Sequence, residues 1–339
     1  MSTPASTTAI TQARDLLRWR SPLRTELWAS RLMAGQAPAE ARRFVQELVE
    51  ADRPEARLAL AALAVTATTE PDASATEPDA AVAPDLYTAH GAEARDASPA
   101  WVRRMGQVDC DGAWYGKADR HGQQTLAVLS FRYRDGKEPH MLIVAIDQVN
   151  GGLAVDALVE EPKFLDDLSL EASEPRVVAG RILDALELTD RVMGAAVADT
   201  YPAVRPFALA RALTVPDPVR PAPDDTLSRF HDLPATKGAD EAFAKLAEFI
   251  GDRPLWWSPG RVSQFLTSWL PREAILSPDA ISAMPDVVRA WSRFAGADPD
   301  VLRQVDSDAP RLAALMADES LAGFGKRLTR SRLHPRAED

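Results

Sequence analysis

The stretch that decides the fold is Thr125–Glu161, TLAVLSFRYRDGKEPHMLIVAIDQVNGGLAVDALVEE. Three apolar runs within it, Thr125–Arg134, Met141–Val149 and Leu153–Glu161, are rich in the β-branched and aromatic residues that suit a pleated surface. Asp135-Gly136 and Asn150-Gly151 separate the runs. Such dipeptides reverse a chain tightly because glycine takes positive φ without a steric penalty. Val108–Lys117, with Trp114 and Tyr115, supplies a weaker first strand. The economical arrangement is an antiparallel meander of three or four strands. With a two-residue turn at Asn150-Gly151, Leu142, Val144, Ile146, Val155 and Val159 share one face, and Ile143, Ala145 and Leu158 share the other. A sheet apolar on both faces is expected to be covered on both.

Outward from the strands the pattern changes to the helical period. In residues 9–67, Leu16, Leu17, Leu23, Leu27, Trp28 and Leu32 recur at spacings near three and four, and Phe44, Leu48, Leu58, Leu60 and Leu63 continue them. Pro38 and Pro54 suit the first turn of new helices, so three or four short antiparallel helices are expected. Ser173-Glu174-Pro175 opens another helix, and Tyr201–Leu213 reads as one more. In 225–322 helices are expected over Ala239–Ile250, from Ser258-Pro259 to a stop at Pro271, over Asp279–Ala283, and from Pro285 to Ala295. The fold class is therefore α+β: a small antiparallel sheet with packed helices, flanked by N-terminal and C-terminal all-helical regions.

Two segments read as linkers. Residues 68–98 repeat Thr-Glu-Pro-Asp-Ala at Thr69–Ala73 and Thr76–Ala80, and almost lack large apolar residues. Such a composition buries too little surface to offset its ordering entropy. Residues 215–224 hold four prolines. The implied organisation is a helical region over 1–67, an acidic linker over 68–98, an α+β domain over 99–214, a proline-rich linker over 215–224, a helical domain over 225–322 and a basic tail over 323–339.

The 339 residues carry a net charge of −11, which argues against general nucleic-acid binding, since that needs a basic footprint. One cysteine, Cys110, permits no intramolecular disulfide. The N-terminus lacks the apolar core of a signal peptide, and no apolar run is long enough to span a membrane. A cytoplasmic protein with no membrane partner and no cofactor is expected. Phosphate-cradling, dinucleotide and nucleophile-elbow motifs are absent.

A few residues carry candidate chemistry. Asp147 and Asp156 interrupt apolar strand sequence, where a charge is costly unless paired or used. Under a two-residue turn Asp147 faces Ala154, with Asp156 diagonal to it on the same face. That pair suits acid–base work or a metal, with His140 or His121 as third member. Attachment to turn amides is the structural alternative, and no metal-ligand spacing is present. Asn150-Gly151 presents turn amides. Trp256 and Trp257 are a possible ligand or partner platform, or helix staples in a core. Arg289 and Arg293 lie on a helix of helix-turn-helix size, though two arginines are few for a recognition helix. Cys110, between Asp109 and Asp111, reads as structural because flanking acids disfavour a thiolate.

Ile146–Val159 (IDQVNGGLAVDALV) resembles a hairpin of uncharacterised cytosolic proteins from high-GC bacteria. Trp257–Arg272 (WSPGRVSQFLTSWLPR) and Met284–Gly296 (MPDVVRAWSRFAG) resemble the helical segment of the same family. The resemblance implies no particular activity. The leading expectation is a non-enzymatic protein-interaction or regulatory factor whose partner is another protein. The alternatives are a metal-dependent or acid–base hydrolase using Asp147 and Asp156, and a nucleic-acid accessory factor using Arg289, Arg293 and the basic tail.

Overall fold

The computed structural model describes residues 5–34, 38–67, 82–222, 226–251 and 257–333. The class is α+β, with thirteen helices and one five-stranded antiparallel sheet among the described residues. The chain divides into two compact units. The first comprises Met1–Gly116, Thr125–Ile146 and Gly152–Pro221; the second comprises Lys117–Gln124, Asp147–Gly151 and Ala222–Asp339.

The first unit opens with α1 (Ala5–Trp19), α2 (Pro22–Ala34), α3 (Pro38–Ala51) and α4 (Pro54–Thr66). Three of the four begin on proline, whose missing N–H has no intrahelical partner at that position anyway. In α4 the apolar residues surround the helix, and Ala56, Leu58, Ala59, Leu60, Ala61, Ala62 and Leu63 are all buried. A helix apolar all round belongs in a core. The acidic linker expected over 68–98 is corrected in its second half, where Val82–Asp96 forms α5. Tyr87 and Ala94 are buried there. Between them a Cβ added at Gly91 would lie 2.1 Å from the Ala64 Cβ. The stripe Tyr87, Gly91, Ala94 has helical spacing, but it holds one large residue and two small ones, which an acidic composition conceals. Both Thr-Glu-Pro-Asp-Ala copies lie outside the described residues.

The sheet holds β1 (Val108–Lys117), β2 (Gln124–Tyr133), β3 (His140–Asp147), β4 (Leu153–Glu160) and a two-residue β5 (Glu171–Ala172), in the order β4-β3-β2-β1-β5. β5 pairs antiparallel with β1, Trp114 opposite Ala172. Both faces are covered. Phe131, Leu142, Val144 and Ile146 pack with Val178, Ile182 and Leu186 of α6 (Pro175–Arg191) and Ala208 and Ala212 of α7 (Tyr201–Leu213). Val128, Met141 and Ile143 pack under Leu165, Leu168 and Leu170. Edges of sheets invite pairing with other chains. Here β5 is short, and β4 spends its edge groups locally. The Val155 carbonyl accepts from Ala198 N–H at 2.8 Å, and the Ala157 N–H donates to Asp156 Oδ1 at 2.8 Å.

The second unit is built on α8 (Ala239–Ile250), α9 (Pro259–Gln264), a π turn over Phe265–Trp269, α10 (Leu270–Glu273), α11 (Pro278–Phe294), α12 (Pro299–Ala317) and α13 (Phe324–Leu333). Ser258, Ser277 and Asp298 cap α9, α11 and α12 by accepting backbone N–H groups, each cap worth about 1 kcal/mol. Leu246, Phe265, Leu270, Val288 and Trp291 form the centre of its core. Three expectations are corrected. Pro271 does not stop the helix; the π turn, where Leu270 N–H reaches back to Phe265 O, opens the backbone just before a residue with no N–H to give. Pro285 does not start a helix, because α11 runs through it on a face of Met284, Val287, Val288 and Trp291 that packing holds in place. The basic tail is helical through Leu333, where Lys326 is buried and donates from Nζ to the Pro271 carbonyl at 2.6 Å.

Candidate functional site

Asp147 ends β3, and five residues rather than two separate it from β4. Its Oδ1 accepts the N–H of Val149 at 2.9 Å and of Asn150 at 3.2 Å, and its Oδ2 accepts Asn150 Nδ2 at 2.6 Å. This is the attachment to turn amides, with Gly151 and Gly152 at φ 90° and 92° completing the reversal. Asn150 Oδ1 accepts from Gln264 Nε2 at 2.9 Å, and Arg261 donates to the Val149 carbonyl at 2.6 Å. Asp156 accepts from its neighbour Ala157 and from Thr200 Oγ1 at 3.0 Å. Among the described residues the two aspartates share no hydrogen-bond partner, and they belong to different compact units. The longer turn removes the register that would have paired them.

His140 lies 1% exposed in the first unit, within a buried polar network. Its Nδ1 meets the Glu138 carbonyl at 2.8 Å, and its Nε2 meets Arg211 Nε at 3.1 Å. Arginine has only donors, so Nε2 is the acceptor and the proton sits on Nδ1. Burial, reinforced by the Arg211 charge, pushes its pKa down to about 4. Arg211 also pairs with the fully buried Glu26, whose Oε1 accepts from Tyr133 Oη and Gly106 N–H, each at 2.9 Å. Phe207 stacks under the guanidinium at 4.3 Å. Burial, and then the Glu26 charge, raise the Tyr133 pKa well above its ordinary value. Every member of this network is bonded to another, and such closed networks fix a packing arrangement.

The remaining sequence candidates separate. Trp257 is buried, and its Nε1 donates to Ser292 Oγ at 2.8 Å; Trp256 lies outside the described residues. Arg289 is bound to Asp286 and Asp306, each at 2.8 Å, while Arg293 is exposed. They share one long helix, so the helix-turn-helix geometry is not formed. Burial, chiefly, pushes the Cys110 thiol pKa up.

His121, Asp298 and Asp300 converge in the second unit, with ligand-type atoms within 4.8 Å of one another. Arg120 already places its guanidinium on both aspartates, at 3.0 and 3.2 Å, and Arg303 sits against Asp300. A cation site is thereby filled with the chain's own cations. The neighbouring Asp119 carboxylate accepts the N–H groups of His121, Gln123 and Gln124 and shapes this loop.

One surface feature was not singled out in the sequence. Trp19, the last residue of α1, is 59% exposed. It lines two grooves in the first unit. One, of about 320 Å3, runs between α1 and α2 past Leu16, Leu27, Trp28, Arg24 and Arg31. The other, of about 770 Å3, is lined by Leu17, Arg20, Trp101, Arg104 and Lys137, with Glu138 tied down by Ser21 and Leu23 N–H. The legible signal was Arg18-Trp19-Arg20, a tryptophan set between charges at a helix end. No family model, curated protein or solved structure matches the chain. Among the described residues no helix is long and apolar enough to cross a membrane.

Proposed function

We propose that this chain is a non-enzymatic, cytoplasmic protein-interaction factor that docks a partner protein on the Trp19 face of α1 and α2. The observation that carries the reading is the exposed indole shared by two adjoining grooves. Burying a side chain of that size contributes about 2–3 kcal/mol, and tryptophan is among the side chains that most often anchor protein interfaces. Amphipathic helices dock their apolar side into grooves lined by apolar residues, and Leu16, Leu27 and Trp28 line this one. The catalytic candidates support the reading, since Asp147 is held by its turn amides, Asp156 Oδ1 by Ala157 and Thr200, and His140 by Glu138 and Arg211.

The test is a paired capture from native lysate with the full chain and its Trp19→Ala variant. Because the indole is exposed, the variant should unfold at the same temperature as the parent. A defined protein retained by the parent and lost by the variant is the expected result. Identical captured sets would overturn the proposal.

A further inference from the structure

The chain is acidic overall, yet the docking face is not. The segment from Ala5 to Ala34 carries five arginines against Asp15 and Glu26, and Glu26 is buried on Arg211. Around Trp19 the charges fall into two sets. Arg14, Arg18 and Arg104 are paired, with Glu55, Asp15 and Asp135 respectively. Arg20, Arg24, Arg31 and Lys137, which line the grooves, make no ion pair among the described residues. Arg24 instead lies over the Trp19 ring at 5.3 Å and is exposed. The grooves thus combine an apolar floor of Leu16, Leu27 and Trp28 with a rim of unneutralised cations. Two carboxylates line the grooves: Glu138 is committed to the start of α2, and Asp15, beside the groove between α1 and α2, is paired with Arg18.

Resting on the docking reading above, we propose that the partner presents an acidic amphipathic segment. Aliphatic or aromatic anchors would enter the groove between α1 and α2, and flanking Asp or Glu side chains would meet Arg20, Arg24, Arg31 and Lys137. Arginine forks suit carboxylates bidentately. Complementary rim charges set partner choice and on-rate, while the buried anchors supply most of the affinity. The net charge of −11 sharpens the argument: an acidic segment is repelled by the chain as a whole and attracted at this face.

The probes are synthetic helical peptides of about 15 residues, roughly four turns. Each bears one Leu-x-x-Phe anchor pair flanked by Glu, by Lys or by Ser. Binding to the full chain is read by fluorescence polarisation. The Glu-flanked peptide should bind about tenfold or more tighter than the Lys-flanked one, an advantage that shrinks as salt rises above about 0.15 M. Arg24→Glu with Arg31→Glu should reverse the preference between the Glu- and Lys-flanked peptides, and Trp19→Ala should weaken all three. Equal binding of the Glu- and Lys-flanked peptides, still sensitive to Trp19→Ala, would overturn the acidic partner and leave the docking face standing. Binding insensitive to Trp19→Ala would overturn both. A single-stranded oligonucleotide that displaces the Glu-flanked peptide at equal charge would also overturn the acidic partner, because it would make the rim a phosphate site.

Discussion

Two clusters in this protein use the same side-chain chemistry under different solvation, one fully buried and one partly open to water. In the first unit Arg211, His140, Glu26 and Tyr133 are each 1% exposed or less. In the second, Arg120, His121, Asp298 and Asp300 also place an arginine and a histidine beside carboxylates, but the Arg120 side chain is 69% exposed. In water the guanidinium and carboxylates gain little by meeting, because each loses hydration and freedom in exchange. Out of water each charge is a large desolvation penalty that only its partner offsets. The buried set is therefore a fixed part of the packing, and the exposed set is a tether that holds a loop.

That contrast is broken most directly by deleting one arginine from each cluster. Arg211→Met leaves the Glu26 carboxylate buried without its cation, and should lower unfolding stability by about 3–5 kcal/mol in urea titrations. Adding Glu26→Met to the same chain should recover much of the loss, since removing both charges also removes the desolvation penalty. A loss under about 1 kcal/mol for Arg211→Met would erase the distinction between the clusters.

A second test uses pH. His140 titrates near 4 in the fold and near 6.5 when unfolded. Between those values the unfolded chain takes up a proton that the folded chain refuses. Its contribution is thus complete above pH 6.5 and is lost as pH falls toward 4, by about 3 kcal/mol. Urea midpoints measured across that window should slope downward with acid, and His140→Gln should flatten the slope. An unchanged slope in the variant would place the acid sensitivity elsewhere.

The smallest effect belongs to the exposed cluster. Arg120→Ala should change stability by less than about 1 kcal/mol, and by less still at high salt. Thermal unfolding of the parent with and without added zinc should coincide, because Arg120 and Arg303 already occupy the carboxylates. A zinc-dependent rise in the unfolding temperature would recast the cluster as a metal site.

Strands β1 to β4 and most helices were legible because they carry apolar residues at a fixed period, whereas the two-residue β5, Glu171–Ala172, is too short to carry one and was not. Leu142, Val144 and Ile146 announce β3, and Val178, Ile182 and Leu186 announce α6. Helix starts were legible at Ser258 and Ser277, whose hydroxyls do what their position implies. α5 was not, since its closest packing, at Gly91 against Ala64, works through closeness rather than bulk. Nor were the continuations through Pro271 and Pro285, where tertiary packing overrides a local backbone preference. At the candidate sites, the sequence named Asp147 and His140 as polar residues among apolar ones. It did not show that turn amides and Arg211 already satisfy them.

Sequence by itself determined the α+β class, the run of strands β1 to β4 and the acidic balance of the chain. These follow from periodicity, capping and charge, which are properties of neighbours along the chain. Only the tertiary structure decided which charges are spent. Glu26 and Arg211 lie 185 residues apart and meet in the core; Arg20 and Arg24 lie beside Trp19 and meet no carboxylate among the described residues. Whether a charge finds a partner, and whether an indole finds cover, depends on contacts made across the whole chain. The physics of burial that makes Glu26 structural is the same physics that makes the uncovered Trp19 indole a notable feature of the surface.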